Sequence, residues 1–88
     1  MPWLRTAEQA RVFARSLPAD GAVATARLEE AVVILTARHG RVFEQARWKD
    51  LLARQPWYQP SRHYDPARLS EGEREALTLL LEALRARS

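Results

Sequence analysis

Leu28-Glu29-Glu30-Ala31-Val32-Val33-Ile34-Leu35-Thr36-Ala37-Arg38-His39-Gly40 reads as a helix and its stop. Leu28, Ala31, Val32 and Leu35 recur at the i, i+3, i+4, i+7 spacing of one helical face. Val33 and Ile34 widen the apolar arc well beyond that face, and a helix apolar on several sides belongs at the centre of a fold. Arg38 and His39 fall in the last turn, where positive charge complements the helix dipole. Gly40 stands where a left-handed residue closes a helix. The pattern predicts a helix that starts within Ala22–Thr25 and ends at His39. The chain then reverses, so that Val42 or Phe43 folds back onto Leu35.

Working outward, three further helices are expected. Upstream, Thr6 and Gln9 fit a capping box. Ala10, Phe13, Ala14 and Leu17 make a narrow face, so a helix over about Ala7–Leu17 packs lightly. Pro18-Ala19-Asp20-Gly21 ends it. Downstream, Phe43, Trp48, Leu51 and Leu52 give an apolar side to a helix over about Phe43–Arg54, which Gln55-Pro56 stops. The last helix is capped by Ser70 with Glu73, and Glu71, Glu73 and Glu75 load its start with negative charge. Leu77, Leu80, Leu81 and Leu84 form its stripe, and Leu79 lies off that stripe as a candidate exposed anchor. Between the last two helices, residues 56–68 hold three prolines and three aromatics. A structureless loop of that length is unusual unless packed or functional. Strand signals are nearly absent, so the fold class is all-α.

The chain of 88 residues is enough for one domain and too short for two. It has no cysteine, which removes disulfides, thiolate metal sites and cysteine nucleophiles. Two histidines, His39 and His63, make a catalytic metal centre a poor fit. No apolar run reaches the ~18–20 residues of a membrane span. The start of the chain lacks the pattern of a secretory signal. If Met1 is the natural start, the expected compartment is the cytoplasm; if the chain is an excised domain, it is extracytoplasmic. Net charge is +3, carried by thirteen arginines and one lysine. With fifteen alanines, that balance fits the codon bias of a GC-rich genome, so basicity alone says little about nucleic acid. The excess is concentrated between Arg38 and Arg68, where seven basic and three acidic residues give +4.

Three segments together resemble the bacterial YARHG domain. Thr36-Ala37-Arg38-His39-Gly40 followed by Arg41-Val42-Phe43 is similar to its signature. Gln55-Pro56-Trp57-Tyr58-Gln59-Pro60 resembles its Pro-Trp-Tyr-x-Pro element, and Leu69-Ser70-Glu71-Gly72-Glu73 resembles its Leu-Ser-x-x-Glu helix start. The resemblance spans about Leu28–Leu84. It implies a helical module of unassigned function, with no catalytic residues to carry over. Such modules usually occur in larger bacterial proteins that look membrane-attached or extracytoplasmic. The chain departs from the pattern where polar family positions, including an Arg-Asn pair, are Val32-Val33 here. A family Tyr is Thr36 here, and a family Asn is Ala76. One expectation is that a polar pair between the second and last helices is replaced by an apolar Val33–Ala76 contact.

Each candidate site has a plain structural reading beside it. Arg38-His39-Gly40 reads first as a charged helix end with its glycine stop, and Arg38 can pair with the Glu-rich start of the last helix. Trp57 and Tyr58 can be an aromatic platform for a peptide or base, or a plug over a thin core, with Tyr58 presenting an edge to solvent. His63-Tyr64-Asp65 reads as loop. Arg38, Arg41, Arg47, Arg54, Arg62 and Arg68 can meet phosphates, yet Glu44, Asp50 and Asp65 lie among them, as on a solvated face.

The expected architecture is a single domain over 1–88. A compact three-helix unit at about 24–86 is preceded by an appended helix at 1–21, and the aromatic loop packs across the third and fourth helices. The expected function is a non-catalytic protein–protein interaction module or accessory subunit. Its partner-binding residues would be Trp57, Tyr58, Tyr64, Arg62, Leu79, Arg38 and Arg41, with His39, Gly40, Ser70 and Glu73 structural. The first helix would dock on a partner, since Trp3, Leu4 and Val12 lack an obvious home. Self-association fits the same reading. Alternatives are nucleic-acid binding through Arg38–Arg68 and, by the resemblance, binding in the cell envelope. No cofactor, metal or small-molecule substrate is expected, and no enzyme activity.

Overall fold

The computed structural model describes residues 4–87. It is all-α, with α1 (Ala7–Arg15), α2 (Gly21–Ala37), α3 (Ala46–Ala53) and α4 (Glu71–Arg87), plus a single 3-10 turn at Pro66–Arg68. Among the described residues there is no strand.

Three of the four α-helices begin where a side chain takes up orphan N–H groups, while α3 starts at Gln45 without a side-chain cap. The Thr6 hydroxyl accepts from the Gln9 N–H at 3.2 Å, while the Gln9 side chain reaches back to the Arg5 N–H at 2.7 Å. Asp20 Oδ1 accepts from Ala22 and Val23 N–H, so α2 starts at Gly21, ahead of the expected Ala22–Thr25. Asp20-Gly21 therefore begins the second helix, while the first has already ended at Arg15 with Ser16 as its cap. The Ser70–Glu73 box is complete in both directions, each arm 3.1 Å long. Such a cap stabilises by ~1 kcal/mol. The third helix starts three residues later than expected, because residues 41–44 leave the Gly40 turn without regular secondary structure.

The interior has two parts. The larger holds Leu4, Ala10, Leu28, Ala31, Leu35, Leu69, Ala76 and Leu80, with Phe13, Leu17, Leu77 and Leu79 packed on it. The smaller holds Val33, Ala37, Trp48 and Leu52, with Phe43, Trp57 and Tyr58 against it. The wide apolar arc of α2 explains the division, since Leu28, Ala31 and Leu35 face one part and Val33 and Ala37 the other.

Several expectations change. The first helix is not a lightly held docking element: Leu4 and Ala10 are buried in the larger core. Val12 is 54% exposed, and Trp3 lies outside the described residues. Leu79 is not an exposed anchor, because it is half-buried against the larger core. Leu81, assigned to the core stripe, is instead 41% exposed. Val33 and Ala76 fall in different parts of the core, so the expected apolar contact between them is not formed. Phe43 folds back onto the Val33 side of α2, not onto Leu35. The aromatic loop packs on the α2–α3 part through Trp57 and Tyr58.

Candidate functional site

The three segments of the resemblance meet in space at residues 38–41. Gly40 has φ 94°, which admits a side chain only at a cost, and its N–H closes the helix onto Ala37 O at 2.9 Å. A Cβ on Gly40 would also come within 2.9 Å of Ser61 Cβ. That crowding exists because the loop is tied to the turn. Ser61 N–H donates to Gly40 O at 2.8 Å, and the Tyr58 hydroxyl donates to Arg41 O at 2.8 Å.

On the other flank, His39 Nε2 lies 2.9 Å from Glu73 Oε2, and Arg38 Nη1 lies 3.9 Å from the same oxygen. Glu73 is only 7% exposed. Burial pushes its carboxyl upward, but the hydrogen bonds from His39 and Ser70 outweigh that and hold it below the usual glutamate range. Burial lowers the Arg38 guanidinium, Glu73 opposes that shift, and nearby Arg5 reinforces it. One end of α2 thus clamps the start of α4 and the aromatic loop together.

The clamp is structural in its chemistry. Ser70 Oγ accepts from the Glu73 N–H and caps α4. The imidazole of His39 is spent on the carboxylate between two helices. Arg38, expected among the partner-binding residues, is half-buried in this clamp. Among the described residues, no group of three or more His, Cys, Asp or Glu is placed to hold a metal ion. No helix of the described residues is long and apolar enough to cross a membrane.

The remaining expected residues lie on and beside the loop. Trp57 and Tyr58 are half-buried and stack edge to face, with ring centroids 6.2 Å apart. Trp57 packs half-buried against the smaller core, and Trp48 takes the fully buried position there. Tyr64 is half-buried, and burial raises its hydroxyl above the ordinary value, with Arg41 opposing and Asp65 reinforcing. Burial likewise raises Tyr58. Arg62 and His63 are exposed. Arg41 is exposed, with its guanidinium 4.8 Å from the centre of the Phe43 ring.

A second feature escaped the sequence reading. Residues 41–45 run beside a groove of about 390 Å³ with Val32 and Val33 of α2, Trp48 of α3 and Leu84 of α4 in its walls. Val42 stands 48% exposed on its rim. Glu29 and Glu44 line the same groove, as does Arg41. Arg47 pairs with Glu29 at 3.5 Å and lies over the Trp48 ring at 4.3 Å. The signal in the sequence was Val42-Phe43, two large apolar residues directly after a helix-closing glycine.

Comparison with family models, with curated proteins and with solved structures gives no match to this chain.

Proposed function

We propose that this chain is a non-catalytic protein-interaction module whose contact face is the groove beside residues 41–45, continued by Tyr58, Tyr64 and Arg62. The observation that carries the reading is the exposed apolar rim over a partly filled groove. Val42 is large, apolar and open to water, and Phe43 and Leu84, which line the groove with it, are only half covered. Small domains rarely leave contiguous apolar surface without a use for it. Arg41 joins the parts, because its carbonyl holds Tyr58 while its guanidinium lies on Phe43. The resemblance to YARHG modules belongs to the same proposal, and the clamp at residues 38–41 gives the spacing of the three segments a physical reason.

The arginine region supports a phosphate-binding face less well. Arg38 is engaged with Glu73 and Arg47 with Glu29, which breaks the continuity that backbone phosphates would need. The test is affinity capture from a nuclease-treated extract of the organism that encodes the chain, with wild type, Val42→Glu and Trp57→Ala. All three are first checked for folding by circular dichroism. Recovery of one protein by wild type and its loss with folded Val42→Glu is expected. Recovery of nuclease-sensitive material alone would replace this reading with a nucleic-acid one.

A further inference from the structure

The first helix and the body of the fold are held by different forces. Burial seats α1: Leu4 and Ala10 are covered in the larger core, and Phe13 packs half-buried on it. Its polar bonds close on themselves. Thr6 and Gln9 cap its start, Arg11 pairs with Glu8, and Ser16 Oγ donates to Phe13 O at its end. Among the described residues, no hydrogen bond or ion pair joins residues 4–19 to residues 20–87. The body is cross-tied. His39 meets Glu73 of α4, Ser61 N–H and the Tyr58 hydroxyl bind the turn after α2, and Arg47 of α3 pairs with Glu29. Residues 16–20, between the two parts, carry no helix. Arg5 sets its positive charge against that of Arg38. Its carbonyl lies so close to Gly72 that a Cβ there would collide with it.

We propose that residues 4–15 are a strap that opens as a unit about residues 16–20 while α2, α3, α4 and the aromatic loop stay folded. Opening breaks apolar contact and no hydrogen bond to the body, so it ends at the hinge and does not spread through the clamp. It uncovers the face of α4 on which α1 packs, including Ala76 and Leu80, with Leu69 just before them. The device is separate from the groove beside residues 41–45, whose walls include no residue of α1. A helix of nine residues is too short to persist alone in water, so the strap melts when it leaves. Exchange of its amide hydrogens therefore counts openings.

Hydrogen exchange of the full chain in rising, sub-denaturing urea tests this, with Arg11, Val12 and Phe13 of α1 read beside Leu35 of α2. The α1 amides are expected to exchange at least about tenfold faster than Leu35. Their urea dependence is expected to be weaker, because opening exposes less surface than unfolding. Gly72→Ala favours the α4 helix itself but pushes the Arg5 carbonyl away. It is expected to speed exchange in α1 about tenfold and to leave Leu35 no faster. Arg5→Gln removes the like charge beside Arg38 and is expected to slow α1 about twofold without moving Leu35. Equal rates and equal urea dependence in α1 and Leu35 would overturn the strap. So would either variant changing α1 and Leu35 alike. A Gly72→Ala chain that fails to fold overturns it too, because the body is then shown to need α1 in place.

Discussion

Removing the Glu73 carboxylate by Glu73→Ala takes away two things at once. The first is the 2.9 Å contact to His39 across the α2–α4 junction. Hydrogen bonds to charged groups contribute ~1.5–3 kcal/mol, and the partial exposure of His39 places this one near the lower end. The second is the return arm of the capping box to the Ser70 N–H, worth ~0.5–1 kcal/mol. Together the loss is about 2–3 kcal/mol, which for a domain of this size lowers the melting temperature by roughly 10–20 °C. The same carboxylate sets an acid limb. Its folded-state value lies below its unfolded one, so the folded chain binds fewer protons there. Its stabilisation is present above the ordinary glutamate range, about pH 4.3, and is lost as pH falls through the lower folded value. Urea titrations of wild type, Glu73→Ala, Glu73→Gln and the exposed control Glu75→Ala, at pH 7 and at steps down to about pH 3, measure both effects. A flattened acid limb is expected in both Glu73 variants. A cycle with His39→Ala should show coupling of about 1 kcal/mol. A Glu73→Ala melt no lower than that of Glu75→Ala would refute the clamp.

Two other perturbations separate backbone from side-chain effects. Gly40→Ala combines the strain of positive φ with contact against Ser61 and should cost ~2 kcal/mol or more in urea titration. It should also speed proteolysis in residues 56–65, whose tie to the turn runs through Gly40 O. Leu79→Ala opens a gap against the larger core and should cost ~1–2 kcal/mol. Leu81→Ala on the open face should stay within ~0.5 kcal/mol of wild type. Reversal of that order by thermal melting would contradict the assignment of these two leucines.

The helices were legible because their signals are local. Thr6 with Gln9 and Ser70 with Glu73 announce two starts, and Gly40 announces a stop. The Arg38 pairing with the start of α4 was readable too, since a helix end rich in positive charge and a helix start rich in glutamates attract. What could not be read was which leucine of α4 faces inward, because Leu77, Leu79, Leu80, Leu81 and Leu84 surround more than half of one helix. Only the position of α1 settles that. Its Ala10 permits close approach to α4, and the close contact of the Arg5 carbonyl at Gly72 fixes where α1 begins. The groove was hidden for a related reason. Its walls come from three helices and one connecting segment, and no periodicity within a single segment records their meeting.

Residues 41–45 and the adjoining turns of α3 and α4 form the proposed contact face. In the free chain the N–H groups of Val42, Phe43 and Glu44 make no hydrogen bond to another described residue. They should therefore exchange quickly in dilute buffer. The direct measurement is amide hydrogen exchange of the labelled chain in dilute buffer, at high concentration, and in nuclease-treated extract. New protection over residues 41–48 and 81–87, at high concentration or in extract, is the predicted result. Protection confined to residues 54–68, or no change under either condition, would contradict it.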